Sequence, residues 1–494
     1  MGAAFAAVLW RGAGALSFGP ADTAALRFTV TQAAASAAIS VLLAVPVARA
    51  LARRRFFGRG LLVSLMGAPF ILPVIVAVLG LIAVFGRGGW VNAGLALFGL
   101  PPVSIYGFWG VVLAHVFFNL PLATRLVLHA WESIPPAQYR LVAQLGLRSW
   151  ATFAVLEWPL LRRTLPGAAA LIFAVCLTSF AVALTLGGGP RATTLELAIY
   201  EAFRFEFDLP RAAALSLVQL ALALGAAALA LWLAPDLPRS GGAARDLGRP
   251  DAPAGWRRWA DGVIIALGAA FLLVPLAALV GRGLGALTDL PTSVWSAALT
   301  SVQIAALSTV MMLALALPFA ALIASARSGG AEALGLLGLA ASPLTIGTGW
   351  FLILHPWTDP AAWTLAVTAL VNALMALPFA LRTLVPALRA GLADYGRLAA
   401  QLGLRGVRYW RIIALPLARP QIGFAAGLCV ALSIGDLGVV ALFAAPDQAT
   451  LPLQMARLMG AYRMEAAAGA ALVLMALAFG LFWICDRWGR AARR

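Results

Sequence analysis

The sequence predicts an all-α, polytopic membrane protein of about 11–12 transmembrane helices, arranged as two homologous halves. Three observations carry that expectation. The chain is 62% hydrophobic and only 11% charged, against roughly a quarter charged residues in ordinary soluble domains. Its apolar residues come in runs near the ~20 residues that a helix needs to cross a bilayer. One polar segment also occurs twice: YRLVAQLGLRSWATFAVLEWP, Tyr139 to Pro159, returns as YGRLAAQLGLRGVRYWRIIALP, Tyr395 to Pro416.

Taken in order, the apolar runs predict spans near 30–50, 61–86, 104–124, 165–188 and 211–233. A second set follows near 260–281, 297–325, 333–354, 362–386, 420–444 and 466–486. Each is long enough for the hydrocarbon layer and carries few charges. Residues 1–17 are apolar but broken by Arg11 and several glycines, too short for a span, and without the basic start and cleavage site of a signal peptide. Between the two sets, APDLPRSGGAARDLGRPDAPAGWRR has the Pro, Gly and Arg content of a flexible join. The expected organisation is a first transmembrane domain over 1–233, a linker over 234–258 and a second transmembrane domain over 259–494.

All 36 basic residues are Arg, and the formal net charge is +17. They gather at the ends of apolar runs, which is a topology signal and speaks for a lipid bilayer rather than nucleic acid as partner. Arg49, Arg53, Arg54, Arg55 and Arg59 hold the first loop in the cytoplasm, because carrying Arg across the bilayer is costly. Alternation then puts both repeat loops, the linker and the C-terminal Arg487, Arg490, Arg493 and Arg494 on that side, with the N-terminus outside. Without lysine there is neither a phosphate-loop lysine nor a Schiff base, so nucleotide hydrolysis of the Walker type would have to come from another chain. Cys176, Cys429 and Cys485 lie apart in apolar runs, and His115, His129 and His355 are scattered. Neither a metal site nor a disulfide framework is indicated.

Within the repeat, Gly403 follows Gly146 by 257 residues, and the same separation relates Arg140 to Arg397, Gln144 to Gln401, Arg125 to Arg382 and Pro121 to Pro378. Leu141, Val142 and Leu145, like Leu398, Ala399 and Leu402, fall at helical spacing before a glycine able to stop a helix in the left-handed conformation. The expectation is a short helix with one apolar face in each half. Rest on the headgroups would explain the amphipathicity. It would not explain why the segment appears twice, with Pro159 and Pro416 at the same distance beyond their glycines.

These residues resemble the cytoplasmic signature of ABC importer permeases, E-A-A-x3-G-x9-I-x-L-P. Both copies keep its glycine and proline, while Arg140 and Arg397 replace its glutamate. More narrowly, VFGRGGW (84–90), LAHVFFNLPLATRL (113–126), LTLGGGPRATTLELAIY (184–200) and LSIGDLGVVALF (432–443) are similar to the fused two-half permeases of bacterial thiamine importers. The resemblance implies two halves of the type I importer fold in the inner membrane and translocation of thiamine and its phosphates. It implies two copies of an ABC ATPase subunit, which hold ATP and Mg and dock on coupling loops. Those loops would be Arg140, Leu141, Gln144, Leu145, Gly146 and Pro159 in one half, and Arg397, Leu398, Gln401, Leu402, Gly403 and Pro416 in the other. It further implies a periplasmic substrate-binding protein, no cofactor on this chain and no bond chemistry of its own. A fused ferric-iron permease shares the duplicated plan, and an ion-coupled secondary transporter would also be duplicated and membrane-embedded; the residues alone leave both open.

Asp436 is the one carboxylate well inside an apolar run, where a charge costs roughly 2.5–3.5 kcal/mol on insertion scales, so it should face protein or water. It is a candidate for the translocation path, where it would favour a cation, or for bracing helices. Its equivalent in the first half is Ser179. Asn119, before the helix-breaking Pro121, and Asn372 in the matching helix are further path candidates, with helix bracing the plainer role. Trp90, Trp350 and Trp357 read as interfacial anchors, and Glu196, Glu201 and Glu206 as an acidic outer face that could meet a delivered substrate or its carrier.

Overall fold

The computed structural model describes every residue except 13, 15–17, 68–70, 148, 190–191, 234–254, 326–341, 445–447 and 492–494. Among the described residues there is no β-strand, and ten helices are long and apolar enough to cross a membrane. The first set comprises α1 (Gly2–Gly12), α2 (Pro20–Arg53), α3 (Arg59–Leu65), α4 (Val74–Phe85), α5 (Trp90–Leu97) and α6 (Phe108–Glu132). It continues with α7 (Pro136–Gln144), α8 (Trp158–Leu177), α9 (Phe180–Leu186), α10 (Leu195–Arg204) and α11 (Leu209–Trp232). The second comprises α12 (Trp256–Ala286), α13 (Thr292–Ser325), α14 (Pro343–Leu354), α15 (Thr364–Gln401), α16 (Leu415–Ile434), α17 (Gly438–Phe443), α18 (Leu451–Gly460) and α19 (Met464–Arg490).

The second set repeats the first in order, and matched side chains do matched work. On α2 the Thr29 hydroxyl accepts from the Leu195 backbone N–H at 2.8 Å, fastening the start of α10. On α13 the Ser301 hydroxyl accepts from Leu451 N–H at 2.8 Å, fastening the start of α18. Both bonds satisfy a helix-terminal donor that lipid could not.

Several expected spans differ in outline. The run at 61–86 is divided into α3 and α4. Those at 165–188 and 420–444 break at Thr178–Ser179 and Gly435–Leu437, so α9 and α17 are separate short helices. Of the run at 333–354, α14 is the helix the structure shows; the rest lies outside the described residues, as do 234–254 of the expected linker. Residues 1–17, too short to read as a span, contribute α1, whose Ala4 and Val8 are fully buried.

Each set lays its first helix against the other. Helix α1 packs on α14, and α12 packs on α4. A β-carbon at Gly349 would stand 2.4 Å from the Ala4 carbonyl oxygen, and one at Gly80 would stand 2.7 Å from that of Pro275. Glycine at these two equivalent positions lets the crossing backbones touch, as small residues do between membrane helices. Outward-facing Leu42, Leu267, Leu299 and Val310 are exposed, the surface a bilayer would cover. Trp90 and Trp357 are exposed as anchors would be, whereas Trp350 packs against the core.

Candidate coupling surface and translocation path

The two repeated segments end in the same backbone device. Gly146 and Gly403 adopt φ of 65° and 66°. Leu147 N–H donates to the Val142 carbonyl at 3.2 Å and Leu404 N–H to that of Ala399 at 2.9 Å. Each is the six-to-one bond of a helix end reversed through a left-handed residue. Val142 and Ala399 turn inward, while Leu141, Leu145, Leu398 and Leu402 are 56, 64, 49 and 64% exposed. Arg140, Gln144, Arg397 and Gln401 surround them on the surface. Each half therefore shows an apolar ridge rimmed by Arg and Gln.

The ridges are carried differently. Pro135 and Pro136 separate α7 from α6, as expected of a short helix, but the second copy is the last turns of the 38-residue α15. Leu392 and Ala393 stand where the first half has the two prolines, so nothing there interrupts the helix.

Beyond each ridge lies a five-residue π-turn, Phe153–Glu157 and Trp410–Ala414. Trp158 N–H reaches back to Phe153 and Leu415 N–H to Trp410. Pro159 and Pro416 follow immediately. A proline lacks the N–H that would bond the carbonyl four residues earlier and its ring collides with that carbonyl. The wider turn makes room for the ring at both sites. In the first half Arg49 Nε meets Glu157 Oε2 at 2.8 Å, with Glu157 fully buried. In the second, Ala414 occupies that place in an apolar cluster with Tyr409 and Trp410.

Two cavities sit between the halves. One, of about 610 Å³, lies toward the ridges and is lined by Arg125 and Arg382 together with Phe379, Phe424, Phe479 and Phe482. The other, of about 540 Å³, lies toward the opposite end of the same helices and is lined by Tyr106, Tyr200, Tyr462, Arg204 and Arg457 among apolar residues.

Asp436, Ser179, Asn119 and Asn372 are not among the lining residues of either cavity. Asp436 stands in the break between α16 and α17, where its Oδ1 accepts from Gly438 N–H at 3.2 Å. Ser179 stands in the equivalent break before α9. Asn119 donates to the His115 carbonyl at 2.8 Å and to Cys176 Sγ at 3.3 Å, joining α6 to α8. Asn372 donates to Ser433 Oγ at 3.1 Å, and Ser308 on α13 donates to that same oxygen at 2.8 Å. At the separation of 257 residues Asn372 answers to His115 and not to Asn119, so the two asparagines brace their halves from different positions. Glu196 is fully buried beside Ser342 and Gln219 and so is removed from the outer face expected of it.

Duplicated spanning helices, two capped ridges and chambers between the halves define the permease subunit of an ABC importer. The chain is 42% identical to the thiamine transport system permease protein of Brucella abortus (strain 2308), over 93% of its own length and 87% of that protein's. It is 40% identical to the proteins of the same description from Salmonella typhimurium (95% of this chain, 89% of the relative) and Escherichia coli K12 (94% and 88%). A sulfate transport system permease protein of Synechocystis is 28% identical over 176 residues, 36% of this chain and 63% of that one. No protein-family model matches the chain. The chain belongs to the family of thiamine transport system permease proteins. It is a multi-pass protein of the bacterial inner membrane and, as a transport permease, not itself an enzyme.

Proposed function

We propose that this chain forms the translocation path of an ATP-driven importer for thiamine and its phosphates, working with two copies of a separate ATPase and a periplasmic binding protein. The domains are the two halves, 1–233 and 259–494, joined by a cytoplasmic linker at 234–258. The observation that carries the reading is the pair of equivalent ridges, Leu141 with Leu145 and Leu398 with Leu402, exposed beside glycine-reversed helix ends. Unspent apolar side chains at matched places on two halves suit two copies of one partner. ATP and Mg reside on that partner. Closure of the ATPase pair draws the ridges together and tips the halves, shifting access from the cytoplasmic chamber beside Arg125 and Arg382 to the chamber beside Tyr200.

Radiolabelled thiamine uptake in cells lacking this chain tests the reading. Uptake returns when the chain is restored with its ATPase and binding protein, and stays absent when residues 146–159 are deleted. Uptake that persists without any ATPase would instead mean an ion-coupled transporter.

A further inference from the structure

The chamber on the ridge side is lined by one arginine from each half. Arg125 on α6 and Arg382 on α15 are related by the same separation as the two ridges, so the duplicated fold brings two copies of one charge to a single space. Among the described residues neither guanidinium has a hydrogen-bond or ion-pair partner. The backbone makes room for the first of them. A β-carbon at Gly67, itself a lining residue, would stand 2.3 Å from Arg125 Nη1, and glycine there lets the guanidinium lie against the chamber wall.

Nothing on that wall offsets the pair. Ser64 and Thr383 are the other polar side chains among the described lining residues, and no carboxylate is among them. The remainder is four phenylalanine rings and aliphatic groups, a low-dielectric surface in which like charges are poorly screened. A cation that enters meets two opposing effects. The face of a phenylalanine attracts it through the ring quadrupole. A guanidinium repels it as a full charge, the larger effect at equal distance and the longer in reach. With two arginines in a space of about 610 Å³, the size of an ordinary small-molecule site, repulsion decides.

Resting on the import reading above, we propose that Arg125 and Arg382 are the release pair of the path, lowering the affinity of the cytoplasmic chamber for thiamine, which is a cation through its thiazolium ring. Ligand brought to this chamber by tipping of the halves then leaves to the cytoplasm and returns poorly. The two potentials add over the space between the halves, so either arginine alone supplies about half of the effect on the binding free energy.

The test uses proteoliposomes holding the chain and its ATPase, with ATP inside and the binding protein outside. Initial uptake of radiolabelled thiamine is followed while unlabelled thiamine is raised inside. Arg125→Gln with Arg382→Gln lowers the internal concentration that halves uptake by at least about tenfold, and either single change lowers it by about threefold. Arg125→Lys with Arg382→Lys, which keeps both charges, stays within about twofold of wild type. Internal thiamine pyrophosphate carries the same rings and the opposite net charge, so it responds with the opposite sign: wild type is inhibited by less of it than of thiamine, and the glutamine pair needs more of it than wild type does. A shift in one direction for both ligands is the mark of damaged packing and overturns the assignment, as does an unshifted response to thiamine. Should the glutamine pair fail to fold, the wild-type order decides, and internal thiamine inhibiting at the lower concentration overturns the proposal. A wild-type chain that takes up no thiamine with its ATPase and binding protein sinks the import reading instead.

Discussion

Arg49 on α2 reaches Glu157 in the first π-turn at 2.8 Å, and its guanidinium lies 4.5 Å from the centre of the Phe153 ring. One side chain thus ties a spanning helix to the element that follows the first ridge. The second loop has no such tie at the matching place, since Ala414 and Trp410 replace Glu157 and Phe153. The element beyond the ridge is thus held by an ion pair in one half and by apolar packing in the other.

Arg49→Met keeps an unbranched apolar stem but strips buried Glu157 of this partner, at a cost on the order of 3 kcal/mol. The damage should stay local. Amide exchange is expected to accelerate over 149–157 and to remain at the wild-type rate over 407–414. Equal acceleration in both loops would mean that Arg49 supports the whole fold rather than one connection.

Gly146 and Gly403 have open space where a β-carbon would sit, so substitution there meets backbone strain and no collision. Alanine should cost about 1–2 kcal/mol at either site. Asparagine, which tolerates the left-handed region, should cost less, and valine more. Transport rates ordered Gly, Asn, Ala, Val at both sites would bear this out. Alanine and asparagine variants that behave alike would show that the reversal matters less than flexibility.

The parts of the fold that follow from a repeated constraint could be read from residues alone. Bilayer thickness sets the span lengths, and RLxAQLGLR stands out because a polar surface motif interrupts apolar runs twice. The breaks at Ser179 and Asp436 were hidden, since both sides of each break are equally apolar and hydropathy does not distinguish a bent helix from a straight one. The difference between α7 and α15 is written in Pro135 and Pro136, which face Leu392 and Ala393 at the common separation, although the motif that follows them is the same in both halves. The Arg204 and Arg457 chamber left no repeated signal: at the common separation Arg457 stands opposite Tyr200, and its lining is gathered from segments far apart in the chain.

Leu141, Leu145, Leu398 and Leu402 contribute little to the fold because water already reaches them. Leu145→Asp or Leu402→Asp should leave thermal stability within about 0.5 kcal/mol of wild type. Burying each leucine in a partner is worth roughly 1.5–3 kcal/mol, so each change should weaken ATPase binding by at least about tenfold. The double variant should purify without ATPase. Co-purification at wild-type stoichiometry would remove the ridges from the docking surface.

Burial pushes the Glu196 carboxyl up from 4.5 to about 7, with Ser342 and Gln219 close by opposing the rise. The folded chain therefore binds this proton more tightly than the unfolded chain does. The stability it contributes is fully present below pH 4.5, falls as pH rises toward 7 and changes no further above that. The loss across that window is on the order of 3 kcal/mol. Glu196→Gln keeps the shape and cannot ionise, so its stability relative to wild type should grow steadily between pH 5 and 7 and then level off. Thermal unfolding in detergent at pH 5, 6, 7 and 8 measures the difference. A gap that does not vary with pH would mean that water or a bound cation reaches the carboxylate between α10, α11 and the start of α14.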